Sequence, residues 1–426
     1  MKAIVNPSVL NGNISAPRSK SDMQRACAAA LLHVGKTLIF TPGNSNDDLA
    51  AIDVIQKLGA VIVENTDHLE ISSAGVLPVN DTVFCGESGL GIRMFTPIAS
   101  LSSKQLRLTG SGSLMNRPMH FFDEIFPKLG IAISSNNGKL PIQIKGPLVP
   151  STIEVDGSLS SQFLTGLLFA FSASNASDVT IKVKDLKSRP YIDMTLQVIK
   201  AFGMKLPVVD SYATFTFGPA TENSRPDIIH YTVEGDWSGA SFLFVAGAIS
   251  SKIVIEGMNA DSVQADKKIL EAITSAGANL SYSDGQYVVS PSELVAFEFD
   301  ATECPDLFPP LVSLAAYCKG ITQIKGAKRL THKESDRALT LQDVFGKMGI
   351  KIELDGDMMY VHGGNVLNGA EVHSHHDHRI AMAAAVAALC ADGPVIINDA
   401  EAINKSYPDF YHHMISLGAN ISLETN

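Results

Sequence analysis

Arginine and lysine recur where the sequence predicts helices to begin. Arg117 precedes Pro118, Arg189 precedes Pro190, and Lys405 precedes a Tyr407-Pro408 opening. Lys333 and Arg337 flank Glu334 at another start, Lys20 and Arg25 straddle the first turn of an alanine-rich segment, and Arg379 opens a second such segment. A cation there opposes the helix dipole by about 0.3–1 kcal/mol. One such residue is ordinary surface charge. A series of them points to bound anions that bridge each cation and the free N–H groups of the helix end. Acidic residues stand close by at Asp306, Glu334, Asp336 and Asp377, so acid/base chemistry on an anionic substrate is one reading. Solvated surface charge is the other.

The elements that carry these residues repeat. Gly59, Gly130, Gly203, Gly277, Gly349 and Gly418 each close an amphipathic stretch, at intervals of about 70 residues. A glycine at that point supplies a left-handed helix C-cap. After most of them come a strand, a polar turn and a second strand, as in the segments from Ala278 and from Ile350. A second series of polar openings lies in step between the glycines, marked by Ser21, Ser88, Ser160, Trp237, Asp306 and His378. Each leads into a helix rich in small and apolar residues. Such helices are buried all round, with only the N-terminus exposed. Each repeat therefore holds two helices and several strands, a compact α/β subdomain rather than a thin solenoid unit.

Composition bounds the function. With 426 residues, 45% of them hydrophobic and 18% charged, two or three globular domains are expected. A net charge of −11 argues against a nucleic-acid binder. Five cysteines without metal-ligand spacing favour a reducing compartment. The N-terminal segment lacks the apolar run of a signal peptide, and no apolar stretch reaches membrane-spanning length, so a cytoplasmic protein without membrane partners is expected. His373, His375, His376 and His378 are spaced as a solvated loop, and no metal is expected.

Eight segments in order resemble the 5-enolpyruvylshikimate-3-phosphate synthase (3-phosphoshikimate 1-carboxyvinyltransferase) family. They are Pro17 to Arg25, Leu108 to Pro118, Asp156 to Gln162, Ser188 to Asp193, Glu234 to Asp236, Lys333 to Arg337, Asp377 to Arg379 and Asn404 to Asp409. The resemblance implies an α/β (α+β) fold: a two-domain inside-out α/β barrel of six repeated βαβαββ-type units, three per domain. One domain would comprise 1–18 plus 234–426 and the other 19–233, with the active site in the cleft between them. The family transfers the enolpyruvyl group of phosphoenolpyruvate to the 5-hydroxyl of 3-phosphoshikimate and releases phosphate, by addition and then elimination. No metal or organic cofactor is implied, and six closed repeats are compatible with a monomer.

By resemblance, Ser21, Arg25, Ser160, Ser161, Gln162, Ser188 and Lys333 would hold 3-phosphoshikimate. Gly89, Arg117, Gln162, Arg337, Arg379 and Lys405 would bind phosphoenolpyruvate, and Lys20 would lie between the two substrates. The catalytic set would be Asp306, Glu334 and Lys20: Asp306 would take the 5-hydroxyl proton, and Glu334 would serve the methylene carbon. Plainer roles stand beside these: the serines of the Ser160–Gln162 segment as helix N-caps, and Glu334 and Asp336 as neutralisers of Arg337. The nearest rival is the related enolpyruvyl transferase acting on UDP-N-acetylglucosamine. That enzyme typically carries a cysteine in the loop that spans Gly110 to Arg117 here, where this chain has none. A non-catalytic phosphometabolite-binding protein is the other. Against it, pure anion binding gains nothing from two carboxylates beside the ligand.

Overall fold

The computed structural model describes residues 1–219, 226–331 and 333–425. One repeat shows the plan. A strand, Thr82–Phe84, leads into the helix Gly89–Ala99. The strand Gln105–Thr109 and the short helix His120–Ile125 follow, and then a hairpin of Ala132–Ser135 and Ile142–Lys145. These strands form a four-stranded sheet in which the first two are parallel and the hairpin closes antiparallel on the second. The same βαβαββ plan recurs six times, each repeat with its own four-stranded sheet; the two interleaved sequence series predict the six repeats, and the family resemblance the order of elements within them.

Three sheets complete themselves with strands from distant sequence. Gly12–Ser15 pairs parallel with Ile253–Glu256, and Ile228–Thr232 pairs parallel with Gly35–Phe40. The strand Lys2–Asn6 inserts antiparallel between Val395–Asn398 and Asn420–Glu424, so the N-terminus finishes the last repeat. The chain forms two compact units, one of Met1–Ser19 with Glu234–Asn426, the other of Lys20–Val233. Each holds three of the sheets.

The six repeat glycines all have positive φ, from 60° at Gly203 to 112° at Gly59. At Gly59 the glycine N–H donates to the Gln56 carbonyl and the next N–H, of Ala60, donates to Ile55. The pair of bonds recurs at the other five glycines. This is the Schellman closure, which satisfies the last helical carbonyls and requires a left-handed residue. It turns the chain out of the helix into the hairpin.

The helices behind the polar openings are the cores. Lys20–Leu32, Gly89–Ala99 and Ser161–Ala173 lie buried in one unit; Trp237–Ile249, Phe308–Tyr317 and His378–Ala388 lie buried in the other. The surrounding strands alternate buried and exposed residues, as Ile142–Lys145 and Ile153–Asp156 do, with one face on the helices and one in water. Among the described residues no helix is long and apolar enough to cross a membrane.

Gly166 shows how tightly two core helices meet. A Cβ there would lie 2.7 Å from the Met94 carbonyl oxygen and 2.8 Å from that of Arg93, both backbone atoms. Backbone cannot swing aside, so Gly166→Ala is expected to destabilise by about 1–3 kcal/mol, read as a lowered urea midpoint at an unchanged slope. A midpoint equal to wild type would show that the helices can separate at no cost.

Candidate active site

In the Lys20–Val233 unit, the polar residues cluster at the N-termini of the three buried helices. Ser88 caps Gly89–Ala99 by accepting from the Gly91 N–H at 2.9 Å, and it donates to Gln24 Oε1 at 2.8 Å. Ser160 caps Ser161–Ala173 by accepting from the Gln162 N–H at 3.3 Å, the plainer role the sequence allowed. Ser161 is buried on the first turn. Lys20 opens its helix and pairs with Asp47 at 2.9 Å. Asp47 and Asp48 open the neighbouring helix Asn46–Lys57, where Asp48 forms a capping box with Ser45.

Arg25 is buried, 1% exposed, on the second turn of its helix. Its guanidinium donates to Thr195 Oγ1 at 3.0 Å, to the Ser21 carbonyl at 2.7 Å and to the Tyr191 carbonyl at 3.1 Å. Burial pulls its pKa down to about 10, so it remains charged at neutral pH. Ser188 stands before the helix Arg189–Ala201 in left-handed backbone, φ 56°, a conformation that costs a non-glycine residue on the order of 1–3 kcal/mol. The Arg189 guanidinium lies 5.6 Å from the centre of the Tyr212 ring.

Gly89, Arg117 and Gln162 come together. A Cβ at Gly89 would lie 2.6 Å from Arg117 Nη1 and 3.7 Å from Gln162 Oε1, so a side chain there would push this guanidinium from its place. Arg117 Nη2 donates to Ser113 Oγ at 3.3 Å. A fourth residue joins them that the sequence reading did not select. Arg93 Nη1 donates to Gln162 Oε1 at 2.9 Å. The available signal was its place four residues after Gly89, on the same face of an otherwise apolar helix.

In the other unit, Arg337 is the hub. Its side chain is 1% exposed and reaches three carboxylates: Asp306 at 2.7 Å, Glu334 at 2.6 Å and Asp377 at 2.8 Å. Asp377 seats it from a fixed position, because the same carboxylate caps the helix His378–Ala388 through the Arg379 N–H. Lys333 pairs with Asp306 at 3.0 Å and Arg379 with its other oxygen at 3.3 Å. Lys405 Nζ lies 4.0 Å from Glu334. Asp336 instead caps Arg337–Lys347 through the Leu339 N–H, so of the two suggested neutralisers only Glu334 reaches Arg337.

Partial burial would raise the Asp306 carboxyl, but Arg379, Lys333 and Arg337 together hold it well below the ordinary carboxylate range. Burial would lower Arg337, and Asp377, Glu334 and Asp306 reverse that and push it up. Burial lowers Lys333, with Asp306 opposing. Nearby, burial pushes the Asp266 carboxyl up to about 6, Asp306 adding to that shift and Arg379 opposing it. Four cations and three carboxylates thus share one cluster. It can bind an anion by releasing carboxylates from their cations, and a released carboxylate is a stronger base.

Lys20, Arg189, Arg337 and Arg379 stand at or just inside helix N-termini, as expected. Two cations do not. Lys405 ends the short helix Ala400–Lys405, and Phe410–Ser416 starts five residues later. Arg117 ends the short helix Gly112–Asn116, and His120–Ile125 starts three residues later. In both cases the proline that suggested a helix start instead follows a short 3₁₀ turn. Among the described residues no group of three or more His, Cys, Asp or Glu side chains is placed to hold a metal ion.

The family model described as EPSP synthase (3-phosphoshikimate 1-carboxyvinyltransferase) matches residues 4–414. A protein of Clostridium novyi (strain NT) named 3-phosphoshikimate 1-carboxyvinyltransferase is 35% identical over 425 residues, covering 97% of each chain. One of the same name from Methanocorpusculum labreanum is 34% identical and covers 100% of both chains. The solved EPSP synthase of Acinetobacter baumannii matches the fold with a TM-score of 0.81 at 24% identity, over 100% of both chains. The enolpyruvyl transferase NikO of Streptomyces tendae matches it with a TM-score of 0.80 at 16% identity, over 100% of this chain and 99% of that one.

Proposed function

This chain belongs to the EPSP synthase family, and on that footing we propose that it transfers the enolpyruvyl group of phosphoenolpyruvate to the 5-hydroxyl of 3-phosphoshikimate. The observation that carries the reading is the Arg337 cluster, in which cations suited to a phosphorylated carboxylate touch two carboxylates suited to proton transfer. The hydroxyl oxygen bonds to the central carbon of phosphoenolpyruvate while a proton enters its methylene carbon, giving a tetrahedral intermediate with a methyl group. Loss of phosphate and removal of one methyl proton then restore the double bond.

Each residue has a task in this reading. Arg337, Arg379, Lys405, Arg117, Gln162 and the Gly89 backbone take the phosphate and carboxylate of phosphoenolpyruvate. Ser21, Arg25, Ser160, Ser161, Gln162, Ser188 and Lys333 hold 3-phosphoshikimate, and Lys20 serves both substrates. Asp306 accepts the hydroxyl proton. In the free protein its cations make it a weak base, so an arriving anion that draws Arg337 and Arg379 to itself strengthens Asp306 when it is needed. Glu334, on the same guanidinium, handles the protons of the methylene carbon. The residues of this set come from both units.

The chain works as a cytoplasmic monomer without nucleic acid, metal or organic cofactor. Its five free cysteines and acidic balance support that setting. The test is phosphate release from phosphoenolpyruvate, measured with and without 3-phosphoshikimate and with UDP-N-acetylglucosamine as the alternative acceptor. Release that depends on 3-phosphoshikimate is the expected result. Release with the nucleotide sugar alone, or with neither acceptor, overturns the assignment.

A further inference from the structure

We propose, resting on the reading of Gln162 as a substrate contact, that Arg93 is a positioning residue that fixes which end of the Gln162 amide meets the substrate. A guanidinium has only N–H donors, so the Gln162 atom facing Arg93 Nη1 at 2.9 Å must be the carbonyl oxygen. With the oxygen committed there, the amide offers other partners its NH₂ group. That suits the oxygens of an anionic substrate, whereas a flipped amide would present a carbonyl and repel them.

Arg93 is itself held. It is 6% exposed, and its guanidinium lies 5.0 Å from the centre of the Phe163 ring, on the residue next to Gln162. The two helices that carry the pair touch backbone to side at Gly166, where the Arg93 and Met94 carbonyls leave no room for a Cβ. Gly89 stands one helical turn before Arg93, and the space a Cβ would fill there is bounded by Arg117 and Gln162. The buried cation also polarises the amide and strengthens its N–H donors. Arg93 thus acts on substrate through Gln162 and does not need to touch it.

The experiment is a double-mutant cycle on the full chain, with KM for phosphoenolpyruvate and kcat measured at saturating 3-phosphoshikimate. Arg93→Met is expected to raise KM about tenfold, the loss of one charge-assisted hydrogen bond, with kcat changed less than about threefold. Arg93→Lys, which keeps a donor, should recover most of the affinity. In a Gln162→Met background, Arg93→Met should add no further change. An equal rise in both backgrounds overturns the inference, because Arg93 would then act independently of Gln162. If Arg93→Met fails to fold, Gln162→Glu decides. Its carboxylate keeps the bond to Arg93 but turns an oxygen towards the anion, so its KM should exceed that of Gln162→Met; an equal or lower KM overturns the inference. Absence of 3-phosphoshikimate-dependent turnover in the unaltered protein would overturn the functional reading itself. Turnover with an additive cycle overturns only the role of Arg93.

Discussion

Glu334→Gln is expected to lower kcat by about 10²–10⁴ while leaving 3-phosphoshikimate affinity within about threefold of the unaltered protein. The geometry favours so clean a separation. Glu334 Oε2 accepts from Arg337 Nη2 at 2.6 Å, and a glutamine carbonyl can accept the same bond. The cluster therefore keeps its shape, and the variant loses only the group that can take up and give back a proton. Steady-state turnover beside equilibrium binding of 3-phosphoshikimate checks it. Retained turnover with lost affinity would move Glu334 from proton transfer to binding.

Arg337→Met should cost about 3–5 kcal/mol of stability near pH 7.5, because it leaves Asp306, Glu334 and Asp377 with like charge and no shared cation. The cost should shrink as the pH falls towards 5. In the unaltered protein the Asp306 carboxyl is depressed, so its contribution is present above the ordinary carboxylate range and is lost only as the pH drops through its lower native value. In the variant Asp306 loses one of the three cations that depress it, so its pKa rises. Protonation then relieves the repulsion, and the variant gains on the unaltered protein with acid. Urea midpoints at pH 7.5 and 5 measure the difference. A deficit that is small at pH 7.5, or that grows with acid, would show that the carboxylates do not depend on Arg337. Arg337→Lys should recover only part of the loss, since an ammonium cannot make the forked contacts of a guanidinium.

Much of this was legible in the chain because the determinants are local. The closing glycines are visible in sequence: each needs only its own helix end, where bonds from the glycine and the next residue reach back three and five positions. The polar openings at Ser88 and Ser160 are N-caps, again settled within one turn. The alternation of caps and apolar runs is enough to mark six repeats of two helices and several strands, and the βαβαββ order within them is what the family resemblance implied. The false helix starts at Arg117 and Lys405 come from the same kind of signal, since a proline after a cation fits the end of a short 3₁₀ turn as well as a helix start.

What tertiary structure alone decided is which distant residues meet. Arg25 is held by Thr195 and Tyr191 from another helix, and Arg337 by Asp306 from an earlier helix opening of its own repeat and by Asp377 from the next repeat. Arg93 reaches Gln162 across the contact of two helices. The strands Lys2–Asn6 and Gly12–Ser15 complete sheets of the C-terminal half. No local propensity encodes such pairings. They follow from how buried helices close on one another at positions such as Gly166, and a buried charge must then take whichever partner that packing brings, because leaving it unpaired costs more than the pair.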